Sequence, residues 1–134
     1  MHNQNEQNPN YLTLLAKTLM TQLSYKTDRK AVLIGKNAKA EAILIDLSMN
    51  KAGVITTRGA KEGTQLELEF EVPAFGEFTI LRLKTRVIHR HNSEDDIYLK
   101  LEFTGLTTYE ESVLSDFLEY KQRLHEMGKK KHIQ

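Results

Sequence analysis

A chain of 134 residues, 40% hydrophobic and 28% charged, has the size and balance of one soluble globular domain with a modest buried core. Nineteen Lys/Arg against eighteen Asp/Glu leave a net charge of +1, so no global pull toward nucleic acid or an anionic surface is expected. There is no cysteine, which excludes disulfides, thiolate catalysis and cysteine-based zinc sites.

Residues 1–10 are Asn/Gln-rich and read as a solvated tail. Leu12, Leu15, Leu19 and Leu23, widened by Leu14 and Met20, then form one helical stripe, which predicts an amphipathic helix over Tyr11–Ser24. Tyr25–Lys30 is polar and reads as a connector. No apolar run approaches the ~20 residues of a membrane span, and the N-terminus lacks the form of a signal peptide. The expectation is a cytoplasmic protein.

From residue 31 the period shortens. Ala31–Ile34 reads as a short strand, Gly35–Lys39 as a turn, and Ala40–Leu47 as a strand apolar on both faces. Gly53–Thr57 is a further strand and Gly59–Gly63 a polar turn. Leu66, Leu68, Phe70 and Val72 alternate with Glu67, Glu69 and Glu71, the pattern of a half-buried strand. Pro73-Ala74-Phe75-Gly76 breaks that run. Phe78–Arg90 carries Leu81, Leu83 and Val87 on one side and Arg82, Lys84, Arg86 and Arg90 on the other, and Ile97, Leu99, Leu101 and Phe103 alternate again. Short strands at this spacing, with no helix between them, predict antiparallel pairing closed into a small barrel. Capping-box spacing at Thr107-Thr108-Tyr109-Glu110-Glu111 opens a last helix with Val113, Leu114, Phe117, Leu118, Leu124 and Met127 on its apolar face. Gly128 reads as its stop and residues 129–134 as a basic tail.

The polar corner Asp46-Leu47-Ser48-Met49-Asn50 follows the most apolar strand. An acid and a hydroxyl two positions apart can cap their own turn or present acceptors to a ligand, and both readings stay open. No P-loop, nucleophile elbow, dinucleotide loop or histidine–glutamate zinc helix is present, so no enzymatic activity is expected. His89 and His91 share a strand face without an evident third ligand, so no metal site is expected.

The corner and the order of elements around it resemble the PilZ domain family. Asp46-Leu47-Ser48 matches the start of the family's second signature, Asp/Asn-x-Ser-x-x-Gly, with Lys51 where the glycine stands and Ala52-Gly53-Val54 continuing in the family's style. Gly63 before a strand ending in Val72-Pro73, Thr85-Arg86-Val87-Ile88, and Leu101-Glu102-Phe103 before Leu106 and a helix extend the match from about Tyr25 to Met127. The resemblance implies a mainly β fold: a six-stranded antiparallel barrel closed by a C-terminal helix, here preceded by an N-terminal one. The domain would cover residues 25–128.

The resemblance further implies a non-enzymatic regulatory module in bacterial cyclic di-GMP signalling, in motility, pilus or surface-attachment control. In a ligand-binding version Lys26, Arg29 and Lys30 would hold phosphate or guanine, while Asp46, Ser48 and Asn50 complete the pocket. The family's first signature, Arg-x-x-x-Arg, supplies two planar guanidinium forks, and this chain has only Lys26 and Lys30 at that spacing with Arg29 beside them. In a ligand-free version the helices Tyr11–Ser24 and Thr108–Met127 would carry contacts to a protein partner or a second copy. A different class of function, nucleic-acid binding through the Arg82–Arg90 strand, competes with cross-strand pairing of those cations to Glu67, Glu69 and Glu71.

Overall fold

The computed structural model describes residues 24–133. The 1–10 tail and, but for Ser24, the expected helix Tyr11–Ser24 lie outside them. Six strands follow in order: β1 (Tyr25–Ile34), β2 (Lys39–Leu47), β3 (Lys51–Thr56), β4 (Gln65–Ala74), β5 (Glu77–Asn92) and β6 (Ile97–Phe103); helix α1 (Thr108–Ile133) ends the chain. All pairings are antiparallel, and the strands close into a barrel in the order β1-β2-β3-β6-β5-β4. Among the described residues no helix is long and apolar enough to cross a membrane.

The alternating residues fill the barrel. Leu33, Leu44, Val54, Leu68, Leu83, Leu99 and Leu101 are all buried, one or two from each strand. At one end α1 acts as a plug: Val113, Leu114, Phe117 and Leu118 have no exposed surface and join the barrel residues in a single apolar cluster. Thr107 is the helix N-cap. Its amide donates to Glu110 Oε1 at 2.9 Å, and the Glu110 amide donates back to Thr107 Oγ1 at 3.1 Å, so a reciprocal capping box fixes where α1 starts.

Four expectations need correction. First, β1 begins at Tyr25 rather than Ala31. Its polar first half is strand because Tyr25 packs against the apolar cluster and Arg29 lies over the Phe117 ring of α1, so both are part-buried in spite of the polar sequence around them. Second, Pro73 stays within β4. Strand β1 pairs only with Glu67–Phe70, so β4 has a free edge beyond, where a missing N–H costs nothing. Third, α1 runs through Gly128 to Ile133. Glycine weakens a helix but does not terminate one without the left-handed turn that makes it a cap.

The fourth concerns Arg90, which leaves the row of Arg82, Lys84 and Arg86. A bulge between Val87 and His89 shifts the phase, so that Arg90 pairs with inward-facing Leu99 and its guanidinium lies against Gly59.

Candidate functional site

The corner between β2 and β3 is held by its own atoms. Ser48 N donates to Lys51 O at 2.9 Å, closing the turn, and Ser48 Oγ accepts from Lys51 N at 3.1 Å and Asn50 N at 3.4 Å while donating to Lys51 O at 3.3 Å. Ser48 is buried, so this hydroxyl serves the turn. Asn50 is exposed at the tip, and its carbonyl accepts from Phe103 N at 2.8 Å, tying the corner to the end of β6.

Asp46 points outward and crosses the sheet. It pairs in register with Gly53 of β3, which in turn pairs with Lys100 of β6. Its carboxylate therefore lies over the bare Cα of Gly53; a Cβ there would collide with both carboxylate oxygens and Cγ. Beyond the glycine, Asp46 Oδ1 meets Lys100 Nζ at 3.0 Å and Oδ2 accepts from Tyr98 OH at 3.3 Å. Burial alone would lower the Lys100 ammonium, but the bond to Asp46 and its charge outweigh burial and raise it. Burial, with the Asp46 charge, raises the Tyr98 phenol. The cluster is a closed trio of acid, ammonium and neutral phenol.

The three cations proposed from sequence part company. Lys26 is exposed and is the cross-strand partner of Asp46, so it stands at the corner. Arg29 does not. Its Nη1 donates to Glu71 O at 3.1 Å, and its guanidinium sits 4.8 Å from the centre of the Phe117 ring. Arg29 is a latch between barrel and plug, combining a hydrogen bond with a cation–π contact. Lys30 is exposed beside Ile43 and lines a neighbouring groove rather than the corner.

Periodicity missed Gly53, Tyr98 and Lys100. The alternation of β6 puts Tyr98 and Lys100 on one outward face, but only the β2–β3–β6 register, spanning 52 to 54 residues, brings that face to Asp46.

The basic strand is largely neutralised by its neighbours: Arg82 pairs with Glu69 at 2.8 Å and Arg86 with Glu102 at 3.2 Å. With Arg90 on the other face, the continuous cationic row needed for the nucleic-acid alternative does not form. Among the described residues, no group of three or more His, Cys, Asp or Glu side chains is arranged to hold a metal.

A closed six-stranded barrel plugged by a C-terminal helix, with an Asp-x-Ser corner between its second and third strands, defines a known class of domain. The PilZ domain family model matches residues 24–120, and the chain belongs to that family. Among solved structures it is similar to the inhibitor of motility MotI/DgrA of Bacillus subtilis (TM-score 0.65, 13% identity, 77% of this chain and 49% of that one). It is also similar to the PilZ domain of Escherichia coli YcgR with c-di-GMP (TM-score 0.62, 13% identity, 81% and 95%). A third is Borreliella burgdorferi PlzA in complex with c-di-GMP (TM-score 0.52, 12% identity, 87% and 57%). At these identities the likeness is one of fold, and the chain spans about half the length of MotI. Among curated proteins none matches the chain.

Proposed function

We propose that this chain is a non-enzymatic regulatory module of bacterial cyclic di-GMP signalling whose output is a protein contact, in motility, pilus or attachment control. Family membership supports the signalling role, as do neighbours of the same fold solved with c-di-GMP or described as a motility inhibitor. The observation that carries the protein-contact reading is the closed corner. Asp46 is taken by Lys100 and Tyr98, Ser48 by its own turn, and Arg29 by Phe117, which leaves the dinucleotide few free groups. Displacing a part-buried, hydrogen-bonded acid from an ammonium removes bonds that a ligand must replace before it gains any affinity.

A second reading, the receptor itself, is favoured by Lys26 standing next to Asp46 with Asn50 exposed beside them. In it, Lys26 holds phosphate while Asp46, Ser48 and Asn50 meet the base. Arg29 and Lys30 drop out of the site. Titration calorimetry with cyclic di-GMP separates the two. The protein-contact reading expects no binding tighter than about 10 μM. Tighter binding that weakens in Asp46→Ala and Lys26→Ala would overturn it in favour of the receptor.

A further inference from the structure

A second surface lies on the barrel exterior, next to the corner but separate from it. A groove of about 570 Å³ opens over β1, β2 and β4, with Ile55 of β3 and Ile80 of β5 at its ends. Its floor is apolar, with Val32, Ile43, Ile55 and the 64% exposed Ile80. Its rim is acidic on balance: Glu41, Glu71 and Asp96 against Lys30, with Glu69 already paired to Arg82. The apolar strip runs on from Ile80 to Phe78, which is 73% exposed on the same side of β5. An open apolar surface rimmed by one sign of charge is the form of a protein-recognition site.

The chain carries a complementary element. Past the plug, α1 leaves the barrel: from Arg123 to Met127 every side chain is exposed, Leu124 and Met127 among them. With Tyr120 these two form a stripe at i, i+4 and i+7, an apolar face that nothing in its own chain's described residues covers. Residues 119–133 hold five Lys/Arg and two Glu, so this half of the helix is cationic where the groove is acidic.

We propose that the distal half of α1 from a second copy of this chain seats in the acidic groove, with Tyr120, Leu124 and Met127 on the apolar floor and the net positive charge of this half of the helix matched to the acidic rim. The contact is reciprocal, each copy lending a helix and receiving one, which closes a two-fold dimer. The leucine stripe of residues 11–23 fits the groove less well, having Lys17 as its only Lys/Arg. An anionic lipid surface is repelled by the rim. The inference gives the protein-contact half of the proposed function its surface and rests on that reading only there; calorimetry on the corner and sedimentation on the groove can fail separately.

The test is sedimentation velocity of the full chain over a concentration series, at low and high salt. A dimer that weakens with salt is expected. The groove variant Glu41→Lys/Glu71→Lys and the helix variant Leu124→Glu/Met127→Glu alter only exposed side chains, so both keep the native circular dichroism. Each should raise the dimer dissociation constant at least about tenfold. Mixing the two variants should recover a two-chain species, because the intact helix of one meets the intact groove of the other. A wild-type chain that is monomeric throughout overturns the proposal. So does a dimer that survives either variant, or binding of the wild-type chain to phosphatidylglycerol vesicles that the groove variant loses.

Discussion

At the scale of single residues, the corner turns on a side chain that is missing. Gly53 is an ordinary strand residue in its backbone, and its role is to leave room: the Asp46 carboxylate passes over its Cα to reach Lys100 and Tyr98. Gly53→Ala should therefore push Asp46 off both partners. The lost pair is part-exposed and worth about 1 kcal/mol or less. The steric displacement adds to it, for a total of roughly 1–3 kcal/mol by chemical denaturation. The same substitution in an Asp46→Ala background should be neutral or slightly stabilising, because glycine is intrinsically poor in a strand and the obstacle is gone. An equal cost in both backgrounds would show that Asp46 is not what Gly53 accommodates.

At the scale of elements, what was legible follows from locality. Strands β4, β5 and β6 announce themselves by period-two alternation, and α1 by its capping box and apolar stripe, all within a few residues of sequence. What was not legible depends on partners far along the chain. The start of β1 looks like a connector until α1 is set beneath it. Arg90 looks aligned with Arg86 until the bulge intervenes. Lys26, Arg29 and Lys30 look like one basic cluster until alternation and the bulge opposite Ile45 send them to the corner, the plug and the groove. The site was half legible for the same reason: its acid and hydroxyl are local, and its ammonium and phenol are not.

The β4–β5 hairpin shows a local rule broken. Its two-residue turn, Phe75-Gly76, has φ of 54° and 79°, the left-handed pair that favours Asn-Gly. Phe75 is 64% exposed, so its ring gains little from burial there. The turn is kept in place by Ala74 pairing with Glu77 and by the Phe75 amide donating to Asp116 Oδ2 of α1 at 2.9 Å. Phe75→Asn leaves that amide in place and relieves the side chain of a conformation that costs an L-residue about 1–2 kcal/mol. Thermal unfolding should shift upward by a few degrees. A downward shift would mean that the exposed ring contributes contacts of its own to the fold.

At the scale of the whole molecule, the barrel and the helix share one core. Phe117 has no exposed surface, sits in the same apolar cluster as the strand residues, and stacks beneath the Arg29 guanidinium that also binds β4. A barrel closed by hydrogen bonds around its circumference still has open ends, and at this end its apolar interior reaches water unless α1 covers it. The plug and the ring should therefore unfold together. Phe117→Ala removes the largest buried side chain of the plug, leaves a cavity at the barrel end and strips Arg29 of its stacking partner. The expected loss is about 3–5 kcal/mol, a fifth or more of the ~5–15 kcal/mol that holds a typical domain together. If one core serves both parts, helical circular dichroism and amide-exchange protection of the β3 and β6 strands will fall in a single coincident transition in both wild type and variant. Loss of the helical signal well before strand protection would show instead that the ring stands without its plug, and that α1 is free to move while the barrel stays closed.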